Sequence, residues 1–470
     1  MQSPYEITLS ALDNLFSVPD NFGIVRREFT IGAHHAVLYF TDGLNAGDEA
    51  EHVLAFCKHA ESSDAAPHPI DTVEAFCAAY ISYPETEISA DLNTLHTGVM
   101  TGCLLLVLEL FPTKGILIKN RQTPTRSLAE PEHDKVLRGA HVGFVETLPL
   151  NCAMIRRLLP DPHLMMKRYS IGQYSRTGVV MCYMRGSADE KYLSFLDKKL
   201  NSIHTDSLSL GTQSLAECLV KRRTWNPFPY FRYTERPDSA VASLVEGSII
   251  LLCENAPQAM ILPVSIFSYL QETNDFYIAP FTATYLRLLR LFSFLCAIYL
   301  IPVWYAAVMH TAHLPHWLSF LELTEPSVFP ILAQLILIEL AVDALKLASM
   351  NTPTALSNSL SVIGGLILGD FAVQTGLFMP ETILYMAVVS IAHFTQHNYE
   401  LGYAFKYTRV MMLLLTAVLG WWGIAVGTIV LIVFLITVPA LEEKPRYFYP
   451  LIPFNGKALY RLFFRQRKMK

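Results

Sequence analysis

The spacing of apolar and polar positions divides the chain near residue 285. Before that point apolar residues come in short runs and stripes separated by polar turns. His35–Phe40 (HAVLYF), Leu104–Leu108, Val179–Met184 (VVMCYM), Ile249–Cys253 and Ala259–Leu262 have the length and β-branched content of strands. Helices are expected from about Gly47 to His59, over about Leu150–Leu159, and from Ala188 to about Ile203. In the last of these Leu193, Leu196, Leu200 and Ile203 form one stripe. Two strands lead through a glycine turn, Thr41-Asp42-Gly43 or Arg185-Gly186, into a helix, which is a faint internal repeat. The expected architecture is an α/β cytoplasmic region followed by an all-α polytopic membrane domain. The cytoplasmic part comprises an N-terminal segment at 1–19, a first subdomain at 20–150, and a second at 151–284 that includes a linker helix.

After residue 285 long apolar runs take over, and a membrane domain at 285–440 is expected. Leu291–Met309 is free of charge, and Arg287 and Arg290 at its front place the preceding region in the cytoplasm. The loop after it has no Lys or Arg up to Glu325 and should lie outside. Its His310, His313 and His316 are poor metal ligands, because Pro315 breaks any helix and no acidic or cysteine partner is in register. Further spans are expected at 328–349, 359–378 and 381–396, with Lys406 and Arg409 marking an inner loop. The stretch 410–438 would reach about 43 Å as one helix, too long for a ~30 Å core and too short for two crossings. A broken hairpin around Gly420-Trp-Trp-Gly423 reconciles it with a basic cytoplasmic tail at 441–470.

Charge inside these runs supplies the candidate chemistry. An ionised side chain at membrane depth costs about 2.5–3.5 kcal/mol on the mildest scale, so it marks a functional or packing site. Glu339, Asp343 and Lys346 share one helical face and are expected to form an intramembrane ion pair. Gly365, Gly369, Ala372 and Gly376 form a small-residue face for helix packing. Asp370 and Gln374 fall on a different face, as pore or ion-path candidates; pairing of Asp370 with Lys346 is the competing assignment. His393, His397 and Glu400 share a face but lack a metalloprotease pattern, and polar lining is the better reading.

Composition adds limits. Of 470 residues 52% are hydrophobic, and a net charge of −5 points to no nucleic-acid partner. The eight cysteines are scattered without a C-x-x-C pair, as expected for reduced, buried thiols. The opening MQSPYEITLSALDNLF has neither a basic start nor an apolar core, so no signal peptide is expected. Arg156 and Arg157 stand near a helix C-terminus, where the dipole favours cations. Pro227, Pro229 and Pro237 make 226–238 an ordered charged loop, with Glu235 and Arg236 as a surface ion pair or half of a subunit contact. No nucleotide loop, catalytic triad or metal set is present; an enzyme is not expected, nor a cofactor.

Glu130-Pro-Glu, Val136-Leu-Arg-Gly139, Gly143-Phe-Val-Glu-Thr147, Ile155-Arg-Arg157, Tyr233-Thr-Glu-Arg-Pro-Asp238, Leu244-Val-Glu-Gly247, Pro263, Ile363-Gly-Gly365 and Asn398-Tyr-Glu-Leu401 resemble the A-subunit family of bacterial spore germinant receptors over nearly the whole chain. Asn226-Pro-Phe-Pro-Tyr230, Pro380-Glu-Thr-Ile-Leu-Tyr385 and Phe454-Asn-Gly-Lys-Ala458 are most similar to its stage V sporulation branch. The resemblance implies a multi-pass protein of the spore inner membrane, with its soluble domain on the core side. It implies a homo-oligomeric, pentameric cation channel that amplifies germinant-triggered ion release beside a small soluble subunit like stage V sporulation protein AEa. A secondary transporter and a membrane-anchored scaffold are the alternatives. The receptors' long N-terminal extension is not seen here, so germinant recognition is not implied.

Overall fold

The computed structural model describes residues 3–464 except 32–33, 43–50, 56–71, 82–84, 120–140, 221–225, 273, 310–320, 322, 324–328, 353–361, 363, 397 and 439–446. His310, His313, His316 and His397 lie outside the described residues. The chain forms two compact units, one of Met1–Lys221 with Phe231–Val264, the other of Arg222–Tyr230 with Ser265–Lys470.

The first unit is built twice to one plan. Helix α1 (Pro4–Phe16) leads into β1 (Ile24–Ile31), β2 (His34–Thr41), α2 (Val73–Tyr80), β3 (Thr86–Ser89), α3 (Leu92–Met100), β4 (Leu104–Leu108) and β5 (Gly115–Ile118). Helix α4 (Leu148–Leu158) then leads into β6 (Leu164–Ile171), β7 (Thr177–Met184), α5 (Glu190–Asn201), α6 (Thr212–Leu219), β8 (Arg232–Thr234), α7 (Pro237–Val245), β9 (Ile249–Cys253) and β10 (Ala259–Leu262). The sheet orders are β1-β2-β4-β5-β3 and β6-β7-β9-β10-β8, the same permutation, with every pair antiparallel. Residues 51–55 are also helical, at the place of α5 in the second half. The repeat faintly visible in sequence is therefore a repeat of architecture.

Burial explains the strand patterns. Leu104 and Leu106 of β4 pack with Val73 and Phe76 of α2, while Leu105 and Val107 pack with Leu12 and Phe16 of α1 and Val99 of α3. A strand covered on both faces loses its polar alternation, hence LLLVL. Helix α1 is thus part of the first core, although the sequence set residues 1–19 apart. The edge strands β1 and β6 carry Arg26, Arg27, Glu28, Lys167 and Arg168, which suit an unpaired rim.

The halves are stitched at Asn21–Gly23. Phe22 N donates to the Met166 carbonyl at 2.6 Å, and Met166 N to Asn21 Oδ1 at 3.1 Å. Arg156, fully buried at the end of α4, donates from Nη2 to Asn21 Oδ1 at 2.9 Å and to the Phe22 carbonyl. Gly23 sits at φ +86°, and a Cβ there would lie 2.6 Å from Arg156 Nη1. Arg156 stands in the last turn of α4 as expected, and it is also a structural clamp. Arg236 also differs from expectation: it is buried and paired bidentately with Asp238, at 3.0 and 2.5 Å, instead of forming a surface pair with Glu235.

The second unit is helical: α8 (Pro280–Met309), α9 (Ile331–Asn351), α10 (Pro380–Phe394), α11 (Tyr399–Leu419), α12 (Trp421–Thr437) and α13 (Gly456–Phe463). Among the described residues α8 alone is long and apolar enough to cross a membrane by length and composition; α10 and α12 are shorter apolar helices. Between α9 and α10 the expected span at 359–378 is broken. Its described part passes through a π-helical turn, Ile367–Phe371, into Ala372–Gln374, and ends before Gly376 at φ +70°.

The expected break at 420–423 is present, but the expected boundaries of the hairpin and of the loop before it are corrected. Gly420, at φ 58° and ψ −137°, separates α11 from α12. The first leg begins at Tyr399, not near 410, so Lys406 and Arg409 lie inside a helix and not in a loop. The legs have 21 and 17 residues, which correspond to about 31 and 26 Å. They pack at Gly423 and Gly427, where a Cβ would meet the Leu415 carbonyl carbon at 2.4 Å and Met412 Cγ at 2.6 Å. The stretch 226–228 also belongs to this unit. Asn226 Nδ2 donates to the Phe434 carbonyl at 2.9 Å, and buried Phe228 meets Phe405 edge-on.

Candidate functional site

The densest buried chemistry in the helical unit joins α8, α9 and α11. Glu339 and Asp343 are one turn apart on α9; Lys406 and Arg409 are nearly one turn apart on α11. Arg409 Nε and Nη2 reach Glu339 Oε1 at 2.7 and 2.6 Å. Lys406 Nζ lies 3.2 Å from Glu339 Oε2 and 2.5 Å from Asp343 Oδ2. Glu339, Lys406 and Arg409 are buried, and Asp343 keeps a side chain 30% exposed. Two carboxylates thus face two cations, and the group closes near neutrality. Each charge is matched where burial of an isolated one would be prohibitive.

Arg409 has a further task. Its Nη1 donates to the Ala297 carbonyl at 2.6 Å, five residues before Pro302 in α8. A proline inside a helix withholds one N–H and crowds the preceding turn. The carbonyl left without its helical donor is that of Ile298, and the guanidinium holds the one beside it, tying three helices at one point.

Lys346 is not part of the network, which corrects the expected pairing with Asp343. Its Nζ stands 4.2 Å from the ring centroid of Tyr399, 5.1 Å from Tyr403 and 5.7 Å from Phe394. An ammonium among three aromatic faces is held by their quadrupoles. Sequence spacing along α9 put Asp343 and Lys346 together, but partners sixty residues away won. The signal for those partners was present: Lys406 and Arg409 are cations inside an apolar helical pattern.

The small-residue face behaves differently along its length. Ala372 is buried, whereas a Cβ on Gly365, Gly369 or Gly376 would meet nothing within 4 Å. The close helix approach falls on Gly364, whose Cβ would lie 2.5 Å from Leu345 Cδ2 of α9. Gln374 is exposed; Asp370 lies in the π-helical turn, with its side chain outside the described residues.

A second ionic cluster was not anticipated. Asp275, fully buried, accepts from Arg287 Nε at 3.1 Å and from Arg290 Nη1 and Nη2 at 2.8 and 2.9 Å. Glu272 takes Arg290 Nη2 at 2.8 Å, and Arg287 Nη1 donates to the Leu462 carbonyl at 2.9 Å. The arginines read as orientation charges are therefore matched by carboxylates. They also hold the start of α8 to α13. Among the described residues no cluster of His, Cys, Asp and Glu could hold a metal ion.

Comparison with known proteins completes the picture. The sequence model described as Bacillus/Clostridium GerA spore germination protein matches residues 10–470. Stage V sporulation protein AF of Bacillus subtilis (strain 168) is 35% identical over 377 residues, covering 80% of this chain and 76% of that one. Spore germination protein KA of the same organism is 28% identical over 343 residues, 72% of this chain and 62% of that one. Among solved structures, the N-terminal domain of the A subunit of the Bacillus megaterium spore germinant receptor GerK3 aligns at 22% identity and a TM-score of 0.41, covering 54% of this chain and 92% of that one. With a match across nearly its whole length, the chain belongs to the GerA family of spore germination proteins.

Proposed function

We propose that this protein acts in spore germination as a subunit of a homo-oligomeric cation channel in the spore inner membrane. Its helical unit crosses the bilayer several times and its α/β unit lies on the core side. Family membership over residues 10–470 supports the role in germination. The observation that carries the channel reading is the neutral four-charge network of α9 and α11, tied to α8 through the Ala297 carbonyl and buried among apolar helices. The uncovered Gly365 and Gly369, between α9 and α10 in the chain, leave room for a second copy to approach closely. Five copies and a small soluble subunit like stage V sporulation protein AEa make up the proposed assembly, and the role is not enzymatic. A ring of Asp370 carboxylates would then attract cations at the axis.

Planar-bilayer recording of the purified full chain tests this reading. Unitary cation currents are expected, with conductance lowered in Asp370→Asn while oligomers form normally. Assembled Asp370→Asn protein that conducts like the parent would remove the pore assignment. The interrupted helices at 367–371 and Gly420 favour a secondary transporter as the second reading. Substrate-coupled flux without unitary steps would select it.

A further inference from the structure

The C-terminal segment carries a surface that the channel reading does not use. Helix α13 turns Leu459 and Leu462 inward and leaves Lys457 and Tyr460 outward, with Phe464 exposed just after it. These outward positions fall at i, i+3 and i+7, one helical face, and the Tyr460 and Phe464 rings stack at 4.8 Å. The turn before it presents Leu451, Ile452 and Phe454, with Phe454 74% exposed. That turn is fixed in shape. Ile452 N donates to the Phe448 carbonyl at 3.0 Å and Asn455 N to the Pro450 carbonyl at 2.9 Å. Asn455 Oδ1 caps the helix through Ala458 N at 3.1 Å.

Position and charge identify what covers this surface. Arg287 Nη1 holds the Leu462 carbonyl, and the charge-free run of α8 begins four residues after Arg287, at Leu291. A helix fixed there stands level with the end of that run. Residues 451–470 contain six Lys and Arg and no Asp or Glu. Aromatic rings between cations suit the headgroup layer, where rings reach toward acyl chains and cations meet phosphate.

We propose that α13 and the turn before it form an interfacial anchor that binds the headgroups of anionic lipids on the side where α8 begins. This deepens the membrane reading and rests on it. Each juxtamembrane cation contributes about fivefold to partition onto an anionic surface.

The test uses the full chain in nanodiscs of phosphatidylcholine alone or mixed with phosphatidylglycerol, with acyl-brominated lipid as quencher. In a background with the eight native cysteines replaced by alanine, single fluorophores are placed through Phe454→Cys, Phe464→Cys, or Leu295→Cys on the exposed face of α8. The expected result is quenching at 295 in both discs, and at 454 and 464 chiefly in the anionic ones. Replacing Lys457, Arg461 and Arg465 together by Gln should weaken that anionic preference about a hundredfold. Quenching at 295 with none at 454 and 464 overturns the anchor and spares the membrane reading. Equal quenching at 454 and 464 in both discs overturns the anionic preference. Shielding from aqueous iodide without lipid quenching, growing with copies per disc, means a second protein chain covers the face and also overturns the proposal. No quenching at 295 removes the membrane reading and the anchor with it.

Discussion

Replacing Arg409 with leucine should weaken the helical unit more than removal of any surface charge. The guanidinium holds Glu339 Oε1 at 2.7 and 2.6 Å and the Ala297 carbonyl at 2.6 Å. Without it Glu339 stays buried, with Lys406 at 3.2 Å already shared with Asp343. Breaking a buried pair by removing one partner costs about 3–5 kcal/mol, because a charge is stranded. For a unit of this size each kcal/mol shifts the midpoint by about 2–4 °C, so detergent-purified Arg409→Leu should melt roughly 6–20 °C below the parent. The double variant Glu339→Leu/Arg409→Leu removes both charges and keeps Lys406 with Asp343. It should recover most of the loss, since an apolar pair of similar volume is often neutral or better. Thermal unfolding followed by tryptophan fluorescence reads both. A single variant that melts like the parent, or a double variant as weak as the single, would refute the account of the network as a charge-compensated clamp.

Gly423→Ala should lower the same midpoint by about 2–12 °C, because its Cβ meets Leu415 backbone that cannot rotate away, an overpacking cost of about 1–3 kcal/mol. Gly365→Leu should leave the protomer's melting unchanged, since nothing lies within 4 Å, but abolish oligomers on size-exclusion chromatography; unaltered oligomers would count against that face as the subunit contact. In the α/β unit, burial lowers the pKa of His96 to about 4. The unfolded chain takes up this proton near pH 6.5 and the folded chain refuses it until about 4, so stability falls as pH drops through that window, by about 3 kcal/mol in all. Hydrogen exchange of α3 should speed up accordingly, and His96→Phe should flatten the pH dependence; an unchanged slope in the variant would assign the effect to another group.

The strands read from sequence were those with buried faces on both sides: HAVLYF, LLLVL, VVMCYM, IILLC and AMIL need no partner to be recognised, because their apolar runs are short and bounded by turns. The edge strands β1 and β6 were not read, since a rim strand carries charges that resemble a loop. The same ambiguity misplaced the start of α11. Lys406 and Arg409 look like a cytoplasmic loop as long as each residue is judged against water or lipid. They belong in a helix once Glu339 and Asp343 stand opposite. Spacing along one element finds neighbours three or four residues away; it placed Lys346 beside Asp343 and could not see Tyr399 and Tyr403, which hold it. The break at Gly420 was legible because two glycines flank two tryptophans, and a length argument demanded a turn there.

The separation of Glu339 and Asp343 from Lys406 and Arg409 along the chain also has a temporal side. A ribosome makes the acids first. At ordinary elongation rates the roughly sixty residues in between take about 3–12 s, during which α9 has no α11 to meet. Lys346, three residues from Asp343, is the nearest cation available in that interval, before the tyrosines that later hold it have been made. In a bilayer, α9 would therefore wait with one of its two carboxylates matched by Lys346, and Asp343 would exchange its partner when α11 arrives. The final arrangement would then depend on a handover between two lysines during biogenesis.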